Sequence, residues 1–184
     1  MKKLLLTAAA VFAFGFANAQ ETKFGVKAGI NMSNFGGDLD GYDSKIGLLV
    51  GGFAEIKLSD KFAVQPELLF SGVGAKVDDV SLNLNYLAIP VMAKYFATEK
   101  FSVEAGPQIG FLMSAKAKLD GESEDIKDSF NSTDLGLNLG AGYDFTENIS
   151  AGLRYNLGLS NIIADSGDFK GSNNAFSLAV AYKF

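Results

Sequence analysis

Phe176-Ser-Leu-Ala-Val-Ala-Tyr-Lys-Phe184 alternates without a break. Phe176, Leu178, Val180, Tyr182 and Phe184 fall on one face; Ser177, Ala179, Ala181 and Lys183 fall on the other. A period of two marks a β-strand with one apolar face. The stretch ends on an aromatic residue of that face, with no polar tail. The closing strand of an outer-membrane β-barrel needs this pattern, because it must pair with the first strand and leave no open edge in lipid. The five apolar residues are therefore expected to serve as an assembly signal, with barrel-assembly machinery as the partner that reads it.

The rest of the chain supplies the other strands. Phe24, Val26, Ala28, Ile30 and Met32 alternate with Gly25, Lys27, Gly29 and Asn31. A polar loop is expected over 33–44. Ile46, Leu48, Val50, Ala54 and Ile56 mark a second strand, and Phe62, Val64, Pro66, Leu68 and Phe70 a third. Pro66 has no ladder donor, so a bulge or local break is expected there. A second loop is expected over 71–79. In the fourth strand Leu82 and Leu84 share one parity while Leu87, Ile89, Val91, Ala93 and Tyr95 share the other. A bulge near Asn85 would reconcile them. The fifth strand carries Phe101, Val103, Ala105, Ile109, Phe111 and Met113, followed by a long acidic loop over 116–132. Leu135 to Phe145 and Ile149 to Leu159 form strands six and seven. A fourth loop over 161–172 leads to the eighth strand.

Connections thus alternate long and short, as in outer-membrane barrels with short periplasmic turns and longer external loops. Aromatics gather at the short-turn end: Phe24, Phe62, Tyr95, Phe101, Phe145, Tyr182 and Phe184. They are expected to form an interfacial girdle, with a thinner one of Phe70, Phe111 and Phe176 opposite. Residues 1–19 read as a secretory signal peptide: Lys2 and Lys3, an apolar run to Phe16, then Ala17-Asn-Ala19 as the cleavage site. The apolar run is too short for a membrane-spanning helix. Residues 20–184 then form one barrel domain, exported to the outer membrane.

Composition narrows the chemistry. The chain has no cysteine, so no disulfide staples it, and a formal charge of −5, which argues against nucleic acid as a partner. It has no histidine, which removes a His general base, a Ser-His-Asp triad and any His-ligated metal.

Alternation alone leaves the apolar face inside, as in a lipocalin-like soluble barrel, or outside, against lipid. The glycines decide. Gly25, Gly29, Gly47, Gly51, Gly106, Gly110, Gly136, Gly140, Gly152 and Gly158 all lie on the polar face. A solvated face would prefer Thr, Lys and Glu, whereas glycine suits the crowded lumen of an eight-stranded barrel. That face also carries Lys27, Glu55, Lys57, Glu67, Lys94, Glu104, Arg154 and Lys183, with Gln65, Gln108, Asn138 and Asn156. Both signs are present, so a paired charge network is expected to fill the lumen. The expected fold is an all-β, eight-stranded antiparallel up-and-down transmembrane barrel, with outer-membrane lipid around it.

Glu67 and Glu104 are also the acids that a barrel enzyme would use as a pair. The ion-pair network is the preferred reading, and no catalytic residue, cofactor or metal is expected. Asp38-Leu-Asp40-Gly41-Tyr-Asp43 looks like a calcium loop at first, but its glycine comes too early for an EF-hand and the distal Glu is missing. The acids of the third loop, Glu122, Glu124, Asp125 and Asp128, read as a solvated loop.

Several stretches together resemble the PorT-like outer-membrane β-barrel family. They are Gly25-Val-Lys-Ala-Gly-Ile-Asn-Met-Ser-Asn34, Gln65-Pro-Glu-Leu-Leu-Phe-Ser71, Tyr86-Leu-Ala-Ile-Pro-Val-Met-Ala-Lys94, Glu104-Ala-Gly-Pro-Gln-Ile-Gly110, Asp134-Leu-Gly-Leu-Asn-Leu-Gly-Ala-Gly142 and Gly152-Leu-Arg-Tyr-Asn-Leu-Gly158. The resemblance implies an eight-stranded barrel in a Gram-negative outer membrane and no catalytic residues. The family's namesake serves a dedicated secretion system, a role that a domain match does not transfer. The function expected is structural or interactive, accessory to secretion or envelope integrity, with other envelope or secretion proteins as partners. A narrow channel for ions or small solutes is the alternative.

Overall fold

The computed structural model describes residues 21–39, 42–119, 122–164 and 167–184. The expected signal peptide with Ala17 and Ala19, and Asp40 and Gly41 of the first acidic loop, lie outside the described residues.

Among the described residues nine strands form: β1 (Glu21–Gly37), β2 (Asp43–Lys57), β3 (Phe62–Val77), β4 (Val80–Phe96), β5 (Phe101–Leu119), β6 (Glu122–Asp125), β7 (Thr133–Asp144), β8 (Ile149–Gly158) and β9 (Gly171–Lys183). Eight of them make a closed antiparallel ring, β1-β2-β3-β4-β5-β7-β8-β9, which returns to β1. The short β6 pairs only with the outer end of β5, and a single 3-10 turn over Lys127–Ser129 follows it. The last strand closes the ring as its alternation predicts. Val180 pairs with Ala28 and Phe176 with Met32. The Phe184 amide donates to the Phe24 carbonyl at 2.8 Å.

The apolar face points outward. Leu48 and Ile46 are each 66% exposed, and Phe176, Leu178, Val180, Tyr182 and Phe184 are all exposed. No helix among the described residues is long and apolar enough to cross a membrane; the belt is made by strands. The short-turn girdle forms, with Phe62 and Tyr95 rings 5.1 Å apart and Tyr182 and Phe184 rings 5.6 Å apart.

Glycine lets the wall close. A Cβ on Gly106 would strike the Val91 carbonyl oxygen of β4, and one on Gly25 would strike the Phe53 ring, which lies across β1 inside the barrel.

The structure corrects three sequence expectations. The strands run further than the alternation: β1 reaches Gly37 and β5 reaches Leu119. Residues 71–79 are not a loop but a continued hairpin, turning only at Asp78 and Asp79, where Asp78 adopts φ 50°. Beyond the lipid belt the outer face turns polar, so the alternation fades although the backbone ladder continues. Finally, β4 keeps one phase throughout. Leu82 and Leu84 point inward, and the irregularity at Asn85/Tyr86 places the extra residue, Met113, in β5. At Pro66 the ladder to β2 lapses without a shift of register.

Deleting Phe184 removes the amide that ties β9 to β1 and one ring of the girdle. The expected outcome is loss of the heat-modifiable band, in which unboiled protein in SDS migrates apart from boiled protein. Full heat-modifiability of the truncated chain would show that closure does not need this residue.

Candidate functional site

Each stave of the ring sends at least one polar side chain into one layer of the lumen: Lys27 from β1, Glu55 from β2, Gln65 and Glu67 from β3, Lys94 from β4, Glu104 from β5, Asp144 from β7, Arg154 from β8 and Lys183 from β9. Arg154 is the hub. Its Nη1 and Nη2 donate to Glu67 Oε2 and Oε1 at 3.0 and 2.9 Å, a fork-to-fork pair. Its Nε and Nη2 donate to Glu104 Oε1 at 2.9 and 2.8 Å. Lys27 Nζ donates to Glu67 Oε1 at 2.8 Å.

Nearer the short-turn end a second group forms. Lys94 Nζ donates to Glu55 Oε2 at 2.5 Å. Lys183 Nζ donates to Glu55 Oε1 at 3.2 Å and to Asp144 Oδ2 at 3.0 Å. Gln65 joins the two groups: its Nε2 donates to Glu67 and its Oε1 accepts from Lys94. The four cations Lys27, Lys94, Arg154 and Lys183 thus face the four anions Glu55, Glu67, Glu104 and Asp144. The layer is neutral as a whole, the condition under which buried charge is tolerated.

The local sequence explains how the hub reaches its partners. Glu104, Gly140 and Arg154 lie side by side on β5, β7 and β8. With no side chain on Gly140 the guanidinium crosses β7 to Glu104; a Cβ there would stand 3.1 Å from Glu104 Oε1.

Of the residues singled out in the sequence, Lys57 stands apart. It ends β2 at the short-turn mouth, its side chain is 37% exposed, and it pairs with Glu21 at 3.5 Å. It lines an open vestibule of about 850 Å3 and not the buried layer, because the staves stop there and water competes for its charge. Asp144 was not singled out although its parity, between outward Tyr143 and Phe145, already placed it inside.

The lumen changes character toward the long-loop end. Asn31 bridges Ser71 and Ser177, and Asn138 bridges Gln108 and Asn156. Above them Asn173 donates to Asp134 and to the Tyr86 hydroxyl. Next comes an apolar cap of Phe35, Val73, Ala75, Leu84, Leu112, Ala115 and Ile162, covered by the loop residues Leu39, Tyr42, Ile126 and Phe130. The cap leaves no periodic signal in the sequence: Phe35, Val73, Ala75, Leu84 and Leu112 share the inward parity with polar residues, and Ile162 lies between strands. Space of about 80 Å3 remains along the lumen, lined by the charged layer and by the polar side chains above it, the size of a few water molecules. Among the described residues no cluster of acids is arranged to hold a metal.

A closed strand ladder with an apolar exterior and a paired, polar interior defines an integral outer-membrane β-barrel. Solved structures share the fold. Neisserial surface protein A (NspA) matches with a TM-score of 0.58 and 20% identity over 90% of this chain and 100% of that one. Ail, the attachment invasion locus protein of Yersinia pestis, matches with a TM-score of 0.55 and 17% identity over 90% of this chain and 100% of that one. At such identities the likeness is one of fold. No curated protein matches the sequence. The outer membrane protein beta-barrel domain family matches over residues 17–164, and the chain belongs to that family.

Removing the hub leaves buried Glu67 with Lys27 as its one remaining ion-pair partner among the described residues, and Glu104 with none. Arg154→Ala is expected to destabilise the barrel by about 3–5 kcal/mol, the usual cost of breaking a buried pair. Urea unfolding in lipid vesicles, followed by electrophoretic mobility since the chain has no Trp, measures it. A change below about 1 kcal/mol, the range of exposed pairs, would mean that water reaches the network.

Proposed function

We propose that this chain is a non-enzymatic outer-membrane barrel, closed to solutes, with a structural or interaction role served by the surfaces at its two ends. One observation carries the reading: a neutral network drawn from all eight staves crosses the lumen, and an apolar cap lies above it. Acid–base catalysis by Glu67 and Glu104 needs carboxyls pushed apart in their proton affinity and open to substrate. Here Arg154 binds both, and each is buried in the lumen.

The second reading is a narrow channel. The polar lining above the charged layer and the cavity of about 80 Å3 favour it. Planar-bilayer recording separates the two. The wild-type protein is expected to show no discrete conductance steps, and Arg154→Ala to admit small ions. Steady discrete steps from the wild type would sink the closed lumen and establish the channel.

A place beside secretion or envelope-maintenance proteins is the accessory form of this role; the stretches that resemble the PorT-like group, from Gly25–Asn34 to Gly152–Gly158, support the barrel and do not by themselves name its partner. Export by a signal peptide cleaved after Ala19, and docking of the β9 aromatics on barrel-assembly machinery, belong to the same reading. Purification from the native outer membrane in mild detergent is expected to yield a barrel that starts at Gln20, with a stoichiometric envelope partner. A barrel recovered alone would remove the accessory role, and an intact N-terminus would remove the cleavage.

A further inference from the structure

The lysines of this barrel fall into separate groups. Those in the lumen are paired, and Lys23 and Lys57 at the short-turn mouth share Glu21. Lys45, Lys76, Lys116 and Lys118 belong to neither group. They lie on β2, β3 and β5 where these strands run past the lipid belt at the long-loop end. Among the described residues none of the four has a carboxylate within ion-pair distance.

Register places them together. Lys76 pairs with Ser81, and Ser81 with Lys118, so the two lysines flank Ser81 on three neighbouring strands. At the usual strand spacing their Cα atoms stand about 10 Å apart, within reach of one tetrahedral anion from both sides. Lys116 pairs with Asn83, next down the same face. Lys45 packs its stem 3.4 Å from the position a Cβ would take on Gly74, and the charges of Lys118 and Lys76 bear on it. On the ladder two acids pair with these lysines, Asp43 opposite Lys76 and Asp125 opposite Lys116. The Asp125 carboxylate accepts the Lys127 backbone amide at 2.9 Å. The lysines stand on the ladder itself, and the exposed acids Asp78 and Asp79 lie beyond them in the β3–β4 turn.

Depth identifies what meets this face. On β4 the outward residues change from Leu87 to Asn85, Asn83 and Ser81. On β5 they change from exposed Met113 to Ser114, Lys116 and Lys118. Lys116 is about 10 Å of strand beyond Met113, the depth of the headgroup layer. Long-loop ends of such barrels face outward, so the layer is that of the outer leaflet. On these strands only Phe70 and Phe111 supply aromatic anchors at the belt's upper edge, so charge does there what aromatic rings do at the other rim.

We propose that Lys45, Lys76, Lys116 and Lys118, with Ser81 and Asn83 between them, form a binding face for the phosphate groups of outer-leaflet lipid. This holds whether or not the lumen conducts. In the test, the folded full-length protein in mild detergent is mixed with diphosphoryl lipid A, with phosphatidylcholine or with inorganic phosphate, and adducts are counted by native mass spectrometry. Lipid A is expected to stay bound and phosphatidylcholine to be lost. Lys76→Gln/Lys116→Gln/Lys118→Gln should cut the lipid A-bound fraction by at least about tenfold, since each lysine near a charged surface matters on the scale of RT or more. Lys61→Gln/Lys100→Gln at the opposite rim should leave it unchanged. Equal binding by the triple variant, or equal retention of phosphatidylcholine, overturns the proposal. Displacement of lipid A by millimolar inorganic phosphate overturns the lipid assignment in favour of a free-anion site. If the triple variant loses its heat-modifiable band, Lys118→Gln and salt decide. Wild-type binding that does not weaken between about 50 and about 500 mM salt would overturn the proposal as well.

Discussion

Arg154 holding Glu67 and Glu104 across the lumen is the interaction on which the rest of this barrel depends. Lipid outside forbids any open strand edge, so the sheet must close. Closure at eight strands leaves an interior just wide enough for side chains. Whatever the staves point inward must then pair with side chains of other staves, because bulk water is excluded. A neutral set of four cations and four anions meets that demand, and Gln65 links its two halves without adding charge. The network ties together residues far apart in sequence, such as Glu67 and Arg154, so it cannot form until the ring is nearly complete. Local pairing therefore builds the hairpins, and the buried charges reward only the closed form.

The same constraint explains the layering of the lumen. Near the short-turn mouth water enters a vestibule, and exposed pairs such as Lys57–Glu21 suffice. Deeper in, every charge of the layer is paired. Toward the long loops Leu84, Leu112, Ile162 and Phe35 replace polar side chains, and loop residues cover them. This end is built like the core of a soluble protein, with apolar side chains packed against one another beneath the loops. The barrel wall is thus sandwiched between lipid outside and three successive interior environments.

Much of this was legible in advance because a period of two survives wherever one face meets lipid. The outward rows, the short turns, the girdle and the closing strand all followed from it. The lumen glycines were equally plain, and Gly140 shows their use: its missing side chain is the passage through which Arg154 reaches Glu104. Legibility failed where the outer face met water instead of lipid. There β1, β3 and β5 continue as ladders of mixed polar and small residues, so alternation carried no signal and the hairpin through Asp78 looked like a loop. Leu82 and Leu84 were ambiguous for a related reason. Parity alone cannot separate an inward apolar residue from a bulged outward one, and the extra residue proved to be Met113 on the neighbouring strand.

What the sequence by itself determined is the architecture: a strand whose apolar face repeats every second residue, seen often enough and paired with a glycine-rich charged face, has one stable home in an outer membrane. What only the tertiary structure decided is partnership. The chain order contains Lys27, Glu67, Glu104 and Arg154, but not the fact that one guanidinium binds both carboxylates, that Asp144 completes the neutral set, or that Lys57 is left at the rim. Those choices depend on strand register and on the small radius of the ring, which bring residues from distant staves to within hydrogen-bond distance and which no local pattern encodes.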